Sequence, residues 1–181
     1  MKSALDDVKS RFGSIHGVFH SAGVLDDRAF SSMSPSSFEQ VYDVKAKGSQ
    51  ILGQLLQDED LDFLCFFSSV RSFFPEVGQT NYAAACTFQE AYASGLRSSV
   101  EFPVHVVNWG YWEGAGLAKG YDRKLLEQGL RPLLVEKGMA SLEAALFNGI
   151  QDVLIFNAEK KYVSSTQCSV KQDNDADVDV S

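Results

Sequence analysis

The passage from Leu61 to Cys86 constrains this chain more than any other. It begins with an apolar run, Leu61 to Phe67, and passes through two hydroxyl residues, Ser68 and Ser69. A loop with Pro75 and Gly78 follows, and then a small-residue helix that opens near Tyr82. Consecutive apolar residues suit a strand buried on both faces, as in a parallel sheet covered by helices. The flanking sequence repeats the theme. Ile15 to Ser21, Val104 to Asn108 behind Pro103, and Asp152 to Asn157 read as further strands. Helical periodicity covers residues 2–12, about 35–57, 79–98, 121–129 and 136–148, with Ser34 as N-cap and Pro35 in the first turn of the second helix. Strands alternating with helices predict an α/β fold with a parallel sheet. In such sheets chemistry gathers at the carboxyl ends of the strands. Ser69 sits at such an end, and Tyr82 follows thirteen positions later.

A second signal lies in the helix before that strand. Phe38, Val41, Lys45, Gly48, Leu52 and Leu55 recur at spacings of three and four, so Lys45 lies on the apolar stripe and Lys47 does not. A lysine on such a stripe is costly unless it has a partner or a task; the alternative is a snorkelling side chain. A phenol such as Tyr82 is a poor acid–base group at neutral pH unless a nearby cation lowers its pKa. Otherwise Tyr82 is a buried aromatic with a satisfied hydroxyl.

Several classes are disfavoured. The net charge of −8 argues against nucleic acid. Cys65, Cys86 and Cys168 have neither disulfide nor metal spacing, which suits a reducing cytoplasm. His16, His20 and His105 have no ligand spacing either. The first residues read as an amphipathic helix rather than a signal peptide, and no apolar run approaches the ~20 residues of a membrane helix. Residues 1–163 are expected to form one domain, and 164–181 a polar, disordered tail. No Gly-x-Gly-x-x-Gly turn follows any strand, so the usual cradle for a dinucleotide pyrophosphate is absent from this sequence.

The motifs together resemble one family. His20-Ser21-Ala22-Gly23-Val24, Leu25-Asp26-Asp27, Lys45, Phe67-Ser68-Ser69-Val70, Gly78 through Ala85 and Asn108-Trp109-Gly110-Tyr111-Trp112 stand in the order found in ketoreductase domains of modular polyketide synthases, within the short-chain dehydrogenase/reductase superfamily. The resemblance covers roughly residues 10–157. It implies a Rossmann-like parallel sheet with flanking helices, lacking here the N-terminal strands and glycine-rich turn. It implies NADPH as cofactor and a β-ketoacyl thioester on an acyl carrier protein as substrate. By the same resemblance Tyr82 donates the proton, Ser69 (with Ser68 as competitor) hydrogen-bonds the carbonyl, and Lys45 lowers the tyrosine pKa and holds the nicotinamide ribose. In most of the superfamily the lysine lies four residues after the tyrosine, where this chain has Cys86. Polyketide ketoreductases take it from the preceding helix, and many have asparagine at the Cys86 position.

The resemblance also assigns Ala22, Gly23, Trp109 and Gly110 to the cofactor. Trp112 goes to the cofactor and substrate edge, and Glu113 to Gly120 form a lid. Leu25-Asp26-Asp27 is similar to the fingerprint of ketoreductases that give the D-configured (B-type) alcohol. Phe74 stands where the opposite class has tryptophan, and Ala84 where epimerising reductases have proline. Asp26 and Asp27 could instead cap a helix. Two other functions compete: a non-catalytic piece that docks to a separate N-terminal half or parent synthase, and a short-chain dehydrogenase acting on a free ketone. Without the first strands, Ile15 to Ser21 is expected to be a sheet edge open to self-association.

Overall fold

A computed structural model describes residues 1–117, 122–127 and 129–159. The elements are α1 (Lys2–Phe12), β1 (Gly17–His20), α2 (Pro35–Leu56), β2 (Phe63–Ser69), α3 (Thr80–Leu96), β3 (Val104–Trp109), α4 (Asp122–Glu127), β4 (Leu130–Arg131), α5 (Val135–Phe147), β5 (Asp152–Ile155) and β6 (Asn157–Ala158). Four strands form one parallel sheet in the order β1-β2-β3-β5. Its register places Phe66 between His20 and Val106, and Ser69 beside Trp109.

The apolar run of β2 is explained by its two neighbours. Leu64 and Phe66 face α2 and α3, where Leu52, Leu56 and Ala93 pack on them. Cys65 faces the other way, into a cluster with Val107, Ile155 and Leu142 of α5. Period-two side-chain alternation thus delivers apolar groups to both faces. The start of α2 follows its sequence: Ser34 accepts from the Ser37 amide at 3.1 Å, and Pro35 occupies the first turn. The helices α2 and α3 meet closely because Gly53 has no side chain; a Cβ there would lie 2.2 Å from the Tyr92 hydroxyl.

The structure adjusts several boundaries. β2 begins at Phe63 and runs through both serines, because its ladder with β3 continues to Ser69 and Trp109. Leu5, Val8 and Phe12 follow at spacings of three and four along α1; Leu5 packs on the core, whereas Val8 and Phe12 are exposed, Phe12 by 71%. The strand expected over Asp152–Asn157 divides at Phe156. Its end leaves the main sheet and pairs antiparallel with β4. Two-residue strands carry no periodicity to read. β1 lies at the sheet edge, with Phe19 45% exposed and packed on Phe63 and Phe67 (ring centroids 5.0 and 5.4 Å). The tail expected from residue 164, Cys168 and the end of the lid at residues 118–120 lie outside the described residues. No described helix is long and apolar enough to cross a membrane.

The core assignment has a direct check. Phe66→Ala should lower the unfolding free energy by about 3–5 kcal/mol in urea denaturation, because Phe66 is fully buried. Phe12→Ala should change it by no more than ~0.5 kcal/mol. Equal effects would show that the sheet face is not the centre of the core.

Candidate active site

The carboxyl end of β2 turns into a chemical site because its backbone is caught at once by side chains. Ser69 Oγ accepts from the Arg71 amide at 3.2 Å and starts a single 3-10 turn, Val70–Ser72. Ser72 Oγ donates back to the Ser69 carbonyl at 2.8 Å. The chain then passes Gly78, whose positive φ of 90° suits glycine, and enters α3. At that entry Asn81 Oδ1 accepts from the Tyr82 amide at 2.8 Å.

The same entry straps down the Leu25-Asp26-Asp27 loop. Gln79 Nε2 donates to Asp27 Oδ2 at 2.9 Å, Asn81 Nδ2 donates to the Asp26 carbonyl at 3.1 Å, and the Arg28 amide donates to the Gly78 carbonyl at 2.9 Å. Asp26 also pairs with Arg28 at 2.9 Å. The next helical turn, Phe30–Ser32, has no side-chain cap, so neither aspartate caps it. The loop reaches the site through contacts more than fifty residues apart in sequence.

These elements enclose a cavity of about 240 Å³. Lys45, Ser69 and Tyr82 all line it. Gly23, Leu25 and Asp27 form part of the wall, and Trp109, Gly110 and Trp112 another part. Ser68 lines it too, so lining alone does not separate the two serines. Ala22, Asp26, Phe74 and Cys86 do not line it. Phe74 is buried against Phe156, with ring centroids 5.8 Å apart. Cys86 is buried in a cluster with Val41 and Tyr82.

Lys45 is 3% exposed. Its Nζ donates to the Phe67 carbonyl at 2.5 Å and to Gln89 Oε1 at 3.3 Å, while Gln89 Nε2 donates to Ser49 at 3.1 Å. Burial lowers the lysine pKa, and Cys86 and Glu90 oppose that shift. The Tyr82 phenol is held above its ordinary pKa, first by burial and then by Cys86. Its hydrogen bond with Ser69 and the charge of Arg71 pull the other way. Lys45 is not among the groups that shift the phenol, so the lowering expected from it is not seen, and Ser69 and Arg71 only partly offset the rise. At neutral pH the phenol carries its proton, which is the form a proton donor needs.

Other groups were not legible in the sequence reading. Arg71 and Glu76 pair at 3.6 Å in the cavity wall, where both are largely buried. Gln89 and Glu90 continue the face of α3 that carries Tyr82 and Cys86. Polar residues at that helical spacing, on a buried stripe, were the available signal. The histidines differ from one another. His20 is buried with its pKa lowered by burial and then by Lys45, His105 Nδ1 lies 2.7 Å from the Ile150 carbonyl, and His16 is exposed beside Asp62.

Comparison with known proteins places this arrangement among relatives. The family model for the KR domain matches residues 1–114. Polyketide synthase ThaG of Burkholderia thailandensis is 37% identical over 163 residues, which is 88% of this chain and 3% of that protein. Polyketide synthase PksN of Bacillus subtilis is 34% identical over 157 residues, again 3% of its length. Among solved structures, a ketoreductase domain from the bacillaene assembly line superposes with a TM-score of 0.84 at 26% identity, covering 92% of this chain and 42% of that one. The first ketoreductase of the tylosin PKS gives 0.79 at 32% identity, covering 92% and 37%. The chain thus spans well under half of the solved domains it matches.

Burial also sets how the two described thiols behave. Cys65 is pushed up to about 12, and Cys86 is raised as well, in both cases chiefly by burial. Neither should react with a disulfide reagent at pH 8 in the folded chain, and both should react once it is unfolded. Peptide mass mapping reads the outcome. Rapid labelling of Cys86 in the folded chain would contradict its placement beneath Tyr82.

Proposed function

Because the chain belongs to the KR domain family, an oxidoreductase family of polyketide synthases, we propose that it forms the catalytic part of a ketoreductase. The substrate is a β-ketoacyl thioester on an acyl carrier protein, and NADPH is the cofactor. The observation that supports this most is the meeting of Tyr82, Ser69 and Lys45 at one cavity. Ser69 Oγ accepts from the Arg71 amide and shares a hydrogen bond with Tyr82, which a substrate oxygen placed between the two hydroxyls would replace. Tyr82, protonated at neutral pH, gives the second hydrogen bond and then the proton as negative charge develops on that oxygen.

The residues present fit the nicotinamide end of a dinucleotide. A Cβ on Gly23 would lie 3.7 Å from Lys45 Cε and 3.0 Å from Leu117, so glycine keeps the wall open beside the ammonium. Trp109 Nε1 is a buried donor with no hydrogen-bond partner among the described residues. When bound, the cofactor supplies the hydride. Lys45, already fixed by Phe67 and Gln89, would donate to the ribose hydroxyls. Trp112, Ala115, Gly116 and Leu117, which line the cavity, would limit water on the acyl side. The strapped Leu25-Asp26-Asp27 loop, with Phe74 withdrawn from the cavity, supports delivery to one face and a D-configured alcohol.

No Gly-x-Gly-x-x-Gly turn occurs in this sequence, and among the described residues β1 is an edge strand with exposed Phe19. We therefore assign the pyrophosphate cradle to a segment that pairs along β1 within the same synthase, in the cytoplasm. An isolated chain should bind NADPH poorly in a fluorescence titration and bind it better with a ketoreductase N-terminal segment added. Micromolar binding by the chain alone would contradict this division.

The chemistry is tested in the completed protein. Tyr82→Phe should cut turnover of a β-ketoacyl thioester by about 10²–10⁴-fold with NADPH binding nearly unchanged. Native turnover by that variant would remove Tyr82 from its role. Chiral chromatography should show the D-alcohol, and a mainly L-configured product would reject the stereochemical reading.

A further inference from the structure

Glu90 is a half-buried carboxyl that the chemistry above leaves unused. It lies two turns below Tyr82 on the same face of α3, which brings it to the level of the β2 tip. Ser68 Oγ donates to Glu90 Oε1 at 2.7 Å. The Asn108 amide, turned with its nitrogen towards α3, donates to the same oxygen at 2.7 Å and lies 3.1 Å from Ser68 Oγ. That nitrogen is also 3.3 Å from both the Ser69 carbonyl and Ser72 Oγ. Ser72 in turn donates to the Ser69 carbonyl at 2.8 Å. One carboxyl oxygen on α3 therefore gathers the end of β2, the end of β3 and the 3-10 turn between β2 and α3.

We propose that Glu90 is a positioning residue for Ser69, holding Ser68 and Asn108 and, through Asn108 and Ser72, the peptide that carries the Ser69 hydroxyl. The proposal rests on the reductase reading for its purpose, but its geometry stands apart from that reading. Hydrophobic packing cannot orient a serine hydroxyl, since it is non-directional. A carboxylate accepting two short hydrogen bonds can. The arrangement also couples both halves of the proton-donating pair to one helix: Tyr82 projects from α3 directly, and Ser69 is referred to α3 through Glu90. The charged neighbours of Glu90 are Lys45 on α2, which favours the carboxylate, and Asp152 on β5, which opposes it. Burial raises its pKa, and the Ser72 and Ser68 hydroxyls lower it.

The test compares Glu90→Ala, Glu90→Gln and Glu90→Asp in the full chain by amide hydrogen exchange at Arg71 and Phe73, whose amides bond within this turn. Glu90→Ala should speed exchange there about tenfold, as expected for losing a hydrogen bond to a charged group. Glu90→Gln should stay within about threefold, because its carbonyl oxygen still accepts. Glu90→Asp keeps the charge but withdraws the oxygen, and should behave like alanine; it decides the matter if Glu90→Ala does not fold. Native exchange rates in the aspartate variant, or glutamine as fast as alanine, would overturn the proposal. In the completed reductase, Glu90→Ala should lower kcat by about 10–100-fold with KM changed less than about twofold. An unchanged kcat would also overturn it. A native protein that shows the exchange contrast but never reduces a β-ketoacyl thioester would refute the reductase reading and leave the anchoring in place.

Discussion

A strand with apolar side chains on both faces has to be covered on both, and β2 meets this by lying between β1 and β3 with α2 and α3 on one side and α5 on the other. The requirement reaches well beyond the strand. It fixes the parallel order, since helices on both faces need crossover connections. It brings α2 and α3 side by side, closely enough that Gly53 has no room for a side chain. It also sets the height at which β2 ends, and thus where the chain must turn. Ser69 and the 3-10 turn after it are consequences of where the buried run stops.

Against this dry background the polar groups are few and each is held. Lys45 would be expensive in an apolar layer, yet its ammonium bonds the Phe67 carbonyl and Gln89. Gln89 is itself held by Ser49, so the donor chain runs from α3 back to α2. The low-dielectric setting that lowers the Lys45 pKa also raises that of Tyr82. Both shifts favour the neutral form of each group. Cys86 contributes a buried thiol that raises the phenol pKa further.

The loop of Leu25-Asp26-Asp27 shows how remote segments share one site. Its aspartates are solvent-accessible in part, yet Gln79 and Asn81 fasten the loop just before the helix that carries Tyr82. Any displacement of the entry to α3 moves the tyrosine and the loop together. That linkage gives the wall of the cavity a defined relation to Tyr82.

The local sequence determined the elements and the sidedness of their faces. Leu61 to Phe67 declared a doubly buried strand, Ser34-Pro35 declared a helix start, and the three–four spacing put Lys45 on the apolar stripe of its helix. Periodicity and capping are short-range physics, so a single chain displays them. The meeting of Lys45, Ser69 and Tyr82 was anticipated from family motifs and spacing, but their partners were not. Phe67 and Gln89 as acceptors for Lys45, Ser69 and Arg71 as the groups acting against the rise in the Tyr82 pKa, and Glu90 beneath Ser68 and Asn108 all involve contacts made only when separate elements pack. The antiparallel pairing of β4 with β6 belongs there too, because two residues are too few to show a period. Tertiary structure decided these matters because hydrogen bonds and desolvation act through space, between groups whose separation along the chain says nothing of their distance.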